Sequence, residues 1–169
     1  MNSRTRTILI VNFAIDALLL AIFVPHFLFT RPLSEDERAI LLPVFEQSVD
    51  LEAVRIKSGG PLTLVYPGIT LGNTIAFPKG RFDLAVSDDQ ALLVHEVVHV
   101  WQYQHFGLSY IPRSLFELIS QRDTYVVHHD SEKDFLDYDI EEQAEIVAEY
   151  YLTSPEIYQP YIETLREQR

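Results

Sequence analysis

The stretch from Leu92 to Gly107, "LLVHEVVHVWQYQHFG", constrains the fold more than any other part of the chain. Read as a helix it is apolar on nearly every side, with Leu92, Leu93, Val97, Val98, Val100, Trp101 and Phe106 spread around the axis. Such a helix belongs in an interior. His95, Glu96 and His99 are then drawn inside with it and need partners, because burying them unpaired is costly. Four residues apart on a helix, the two histidines differ by about 40° and project from one face. Two imidazoles so placed can share one metal ion, and Glu96 lies between them, within reach of a water at that ion. A random chain of this length would contain such an HExxH arrangement on the order of once in a few hundred. The plainer alternative is a core helix with two satisfied histidines.

The neighbouring pattern predicts an α+β domain. Ser34 and Glu37 have capping-box spacing ahead of an apolar face of Ile40, Leu41 and Val44. Three short β-type runs follow, "AVRIKSGG", "LTLVYPG" and "NTIAFPKG", each cut short by Gly or Pro. Ser87 and Gln90 repeat the capping spacing and should open the long helix, which Gly107 stops. A further helix is expected near Pro112, carrying "SLFELISQ". Asp139 and Glu142 cap "IEEQAEIVAEYYL", and a last helix, roughly "PEIYQPYIETLREQ", should be bent or interrupted by Pro160.

A third ligand is needed to complete a catalytic metal site. His105 is the first candidate. On a helix that continues to Gly107, however, it points about 120° away from His99. The extended HExxHxxGxxH pattern would also need a glycine where Gln102 stands and a Met-containing turn, and the only methionine is Met1. "DIEEQAEIVAEYY" offers glutamates instead. Ile140, Ala144, Val147, Ala148 and Tyr151 form its apolar stripe. From the middle of that stripe Glu141 lies about 75° away, Glu145 about 115° and Glu142 about 175°. This selects Glu141 as ligand, leaves Glu145 to orient a histidine from behind, and turns Glu142 to solvent. A solvated acidic face is the competing reading of the same run.

"LLVHEVVHVWQYQHFG" followed by "EEQAEIV" resembles the zincin-like metallopeptidases in which a glutamate completes the site. "EEQAE" is similar to their ExxAD or ExxxD element, in which the first glutamate binds zinc and the later acid braces a ligand histidine. More closely, "HEVVHVWQYQ" with its downstream Glu-Gln-Ala element resembles bacterial zincin-like domains met around Rhs, Vgr and extracellular contractile injection systems. The likeness covers roughly Leu33 to Leu152. Glu142 stands where a second glutamine is common, and Glu145 replaces the more usual aspartate, lengthening that arm. The resemblance implies a minimal zincin-like domain over residues 31–169.

Two imidazoles, one carboxylate and an open position describe a catalytic zinc site, so Zn2+ is the expected cofactor and a peptide or protein the expected substrate. Glu96 is the expected general base. Tyr125, His128 and His129 in "TYVVHH" are candidate oxyanion donors, and "NTIAF" is a candidate edge strand for pairing with an extended peptide. From another class comes a catalytically silent zincin-fold protein that binds a partner in a secretion or toxin-delivery system.

Residues 1–30 read differently. A short basic start precedes an apolar run from Ile8 to Phe29, long enough for a bilayer core. Its only charge is Asp16, and Pro25 with His26 disturbs the last turn. This predicts a single-pass membrane anchor through residues 8–29. Arg4 and Arg6 would face the cytoplasm and the catalytic domain the other side, although Arg31 and Arg38 blur that asymmetry. A hydrophobic helix buried in the domain is the alternative. The net charge of −12, concentrated toward the C-terminus, argues against nucleic acid as a partner. With no cysteine, thiolate zinc sites and thiol nucleophiles are excluded.

Overall fold

The computed structural model describes residues 16–107 and 133–168. Its order is β1 (Arg31–Pro32), α1 (Glu35–Phe45), β2 (Arg55–Ser58), β3 (Ile69–Leu71), β4 (Thr74–Phe77), α2 (Ser87–Phe106), α3 (Ile140–Thr153) and α4 (Gln159–Glu167). The α+β class follows from a small mixed sheet in the order β1-β2-β4-β3. β2 and β4 run parallel, while β1 and β3 pair antiparallel with them on the two edges.

α1 begins where its capping box stands. Ser34 Oγ accepts from Glu37 N at 3.2 Å, and Glu37 Oε2 accepts from Ser34 N at 2.7 Å. The buried Glu37 also takes both guanidinium nitrogens of Arg31 at 2.7 Å, tying β1 to α1. At the other end Arg166 of α4 donates to the carbonyls of Pro43 and Val44, which the helix itself leaves unpaired.

The sheet differs from the expected one in two places. The run "LTLVYPG" forms no strand: Leu62–Leu64 is a 3₁₀ turn that starts after Pro61. The third strand is Ile69–Leu71, joined to β4 by the two-residue loop Gly72-Asn73. Gly72 adopts φ +61°, the left-handed conformation that a tight hairpin asks of its first loop residue. "NTIAF" is therefore interior, paired on both sides, and β3 is the edge.

α2 occupies the position its composition demands. Leu93, Val94, Val97, Val98, Val100 and Trp101 are fully buried, in one core with Ile75 and Phe77 of the sheet and Ile146 and Val147 of α3. Its start is capped differently than expected. Ser87 makes no cap; Asp89 accepts from the backbone of Asp83, and Gln90 donates to Leu84 O. Gly107 ends the helix at φ +61°, as expected. The Asp139–Glu142 capping box opens α3, which stops at the left-handed Ser154. Pro160 does not bend the last helix. It sits in the first turn of α4, where a missing N–H costs nothing.

The expected membrane anchor finds no support among the described residues, where no helix is long and apolar enough to cross a bilayer. Residues 16–23 are helical, but the chain passes into a 3₁₀ turn at Val24–Phe27, with Pro25 in its first turn. This end of the apolar run is fastened to the sheet. His26 is buried with Nε2 2.9 Å from Thr74 O, and Lys57 donates to Leu28 O at 2.7 Å. Residues 1–15 and the helix expected near Pro112 lie outside the described residues.

Candidate metal centre

The centre lies where α2 crosses α3. A helical pitch sets His95 and His99 one turn apart on the side of α2 that faces the start of α3. The α3 cap fixes where Glu141 emerges, one residue inside the helix. The three side chains converge: His95 Nε2 is 3.2 Å from His99 Nε2 and 3.4 Å from Glu141 Oε2, and His99 Nε2 is 3.5 Å from that same oxygen. These atoms are the only group of three or more potential ligands gathered within 4.8 Å among the described residues.

The triangle fits zinc. A tetrahedral ion with bonds of about 2.0–2.1 Å holds neighbouring donors about 3.3–3.4 Å apart, close to all three separations. Two imidazoles and one carboxylate also suit zinc better than magnesium or calcium, which take oxygen donors.

The electrostatics describe a place built for positive charge. Burial opposes the imidazolium of His95, but its contacts with Glu141 and Glu145 and the charge of Glu96 outweigh that, lifting its pKa to about 10. Burial likewise opposes charge on His99, and the adjacent Glu141 carboxylate overrides it and raises its pKa. Burial would raise the pKa of Glu141, yet the two imidazoles hold it well below the usual carboxylate range.

Around the triangle, Glu145 Oε2 stands 3.6 Å from His95 Nδ1, on the side of the ring away from Nε2. Glu142 turns away from the centre to cap α3 and meet Lys133 at 3.3 Å. His105 is also excluded, since its Nδ1 pairs with Trp101 O one turn back and its ring lies against the Trp101 indole. Tyr125, His128 and His129 lie outside the described residues.

Glu96 is buried beside the triangle, outside the group of three. Its neighbours come from a segment the sequence reading passed over. Thr70 on β3 donates its hydroxyl to Glu96 Oε2 at 2.6 Å and lies 3.1 Å from Glu96 O. Gly68 packs so closely that a Cβ there would stand 2.8 and 2.9 Å from Glu96 Cδ and Cγ, closer than carbon atoms pack. The edge strand thus seats the carboxylate. The hairpin signal Gly72-Asn73 between "ITL" and "TIAF" was the available clue to that strand. A cavity of about 210 Å³ is lined by Tyr66, Pro67, Arg81, Phe82 and Leu92 among others, Pro67 preceding Gly68 and Leu92 standing one turn before Glu96.

Comparison with known proteins agrees with this architecture. Residues 32–107 match the eCIS core domain. The chain is 30% identical over 139 residues to the type VI secretion system spike protein VgrG2b of Pseudomonas aeruginosa, covering 75% of this chain but 13% of that protein's length. It shares the fold of the effector domain of Pseudomonas aeruginosa VgrG2b, with a TM-score of 0.59 and 24% identity, over 88% of this chain and 92% of that one. Residues 32–107 thus match the eCIS core domain within a chain similar in sequence to part of a secretion-system spike protein and similar in fold to the VgrG2b effector domain.

Proposed function

We propose that this chain is an effector-like domain of a secretion or injection system whose His95–His99–Glu141 centre holds zinc and hydrolyses peptide bonds. The observation that carries this reading is the donor triangle of 3.2, 3.4 and 3.5 Å with a buried carboxylate beside it. Zinc held there would supply Lewis acidity toward water and a substrate carbonyl. A site that only stabilised the fold would have no use for Glu96.

The residues of the chain divide the work. Glu96 takes a proton from the attacking water and passes it to the leaving amine. Thr70 holds one of its oxygens, leaving the other to move the proton. Glu145 keeps the His95 ring turned toward the ion. The outer edge of β3, next to Glu96 and unpaired among the described residues, suits an extended peptide bound through backbone hydrogen bonds.

A second reading has its own support. The relatives' names speak of a spike protein and an effector domain in a secretion system, and none of them speaks of a reaction. That association favours a domain whose work is binding a partner, with the centre serving the fold. It also suits either reading better than a membrane-tethered enzyme.

The test is metal content and hydrolysis measured on the same protein. Zinc per chain should be near one for the wild type and for Glu142→Ala, and lost in His95→Ala and Glu141→Ala. Glu96→Ala should keep its zinc and lose cleavage of casein or a peptide library by at least 100-fold. Normal zinc in Glu141→Ala would overturn the ligand set. Full zinc with no cleavage by the wild type would favour the binding domain.

A further inference from the structure

Beneath the metal triangle a chain of buried amides links the two helices that form it. His99 Nδ1 lies 2.9 Å from Gln102 Oε1. Gln102 Nε2 donates to Ile140 O at 2.8 Å and to Gln143 Oε1 at 2.9 Å. Gln143 Nε2 then donates to Phe135 O and Tyr138 O, both at 3.1 Å. Gln102 is wholly buried, and Gln143 and His99 nearly so.

The direction of this chain is set by its far end. A backbone carbonyl only accepts, so Gln143 must turn its NH₂ toward Phe135 and Tyr138. Its oxygen therefore faces Gln102. Gln102 meets two acceptors, Ile140 O and Gln143 Oε1, and must turn its own NH₂ to them. Its oxygen is left for His99, whose Nδ1 must carry a hydrogen. Three carbonyls, two just ahead of α3 and one on its first residue, thus dictate the tautomer of a ring on α2.

We infer that Gln102 is a positioning residue that fixes His99 with Nδ1 protonated and Nε2 bare toward the ion, and that it locks this ring to the segment delivering Glu141. The inference deepens the zinc reading above and rests on it for its effect on metal affinity. The tautomer itself follows from the amide chain alone. One carboxamide thereby serves two ligands: it holds His99 directly, and through Ile140 O it holds the residue that precedes Glu141. An outer partner of this kind governs metal affinity by about 10–100-fold.

The test uses the full-length, ¹⁵N-labelled protein, with and without Zn2+. In the wild type the His99 Nδ1–H should give a downfield, slowly exchanging signal in both states. Gln102→Met, matched in size, should lose that signal while keeping its circular dichroism, and should bind Zn2+ 10–100-fold more weakly in a chelator competition. Gln143→Met leaves Ile140 O to orient Gln102, so the signal should persist and affinity fall less. A bare Nδ1 in the wild type would overturn the inference without any variant having to fold. So would an unchanged signal and unchanged Zn2+ affinity in a folded Gln102→Met. If the wild type takes up no zinc yet shows a Gln102-dependent Nδ1–H, the amide chain stands and the zinc reading falls.

Discussion

His95 lies between Glu141 and Glu145, and that placement decides how the metal-free centre answers to pH. Its pKa rises from 6.5 to about 10, so its contribution to stability is fully present below about pH 6.5 and is lost as pH climbs through about 10. Glu141 works in the opposite sense. Its depressed pKa gives stability that is present above its ordinary value of 4.5 and is lost as acid is added. Metal-free protein should therefore melt at progressively lower temperature between pH 7 and 10, whereas zinc-loaded protein, in which the ion stands in for the proton, should change less. Differential scanning calorimetry across that range, with and without zinc, reads the difference directly. A flat metal-free profile would mean that the imidazole is not held by its two carboxylates.

At the scale of elements, the α2–α3 contact does two things at once. It joins helices that share one core, to which Leu93 and Ile146 both belong fully buried, and it sets the register that brings Glu141 to the histidines. Leu93→Ala should cost about 3 kcal/mol by urea denaturation, within the range for a leucine cavity in a tight core. A cost below about 1 kcal/mol would mean that the core packs loosely around Leu93. The local signals for these helices were legible in the sequence. The Ser34–Glu37 and Asp139–Glu142 boxes, the Gly107 stop and the apolar circumference of α2 each depend on residues a few places apart. The "ITL" strand, which falls between the runs "LTLVYPG" and "NTIAFPKG", was equally legible through the Gly72-Asn73 turn. Ser87 misled because Asp89 and Gln90 reach back to the preceding loop instead. The side of its helix on which Glu141 emerges was readable from its angle to the apolar stripe. The seat of Glu96 and the Gln102–Gln143 chain were not. Thr70 lies 26 residues from Glu96 and Gln102 lies 41 from Gln143. Only the packed register of strand on helix, or helix on helix, makes them neighbours.

For the whole molecule, the proposed zinc centre would couple metal binding to folding. A ligand set split between α2 and α3 exists only when those helices are docked, so an ion that binds the folded chain must stabilise it. With free zinc at 100 times its Kd the gain is about 2.7 kcal/mol. Thermal melts should rise on adding zinc and fall again with chelator, and His99→Ala should abolish both shifts. A melt indifferent to zinc would separate the centre from the fold. The split has a further meaning for recognising such chains. The segment that matches the eCIS core domain stops at residue 107, about thirty residues short of the glutamate that completes the triangle. The paired histidines by themselves would offer an ion only two donors. Whether a chain bearing that segment gains the third depends on what is appended after it, and a truncation at the segment's end would discard the anchor while leaving the signature in place.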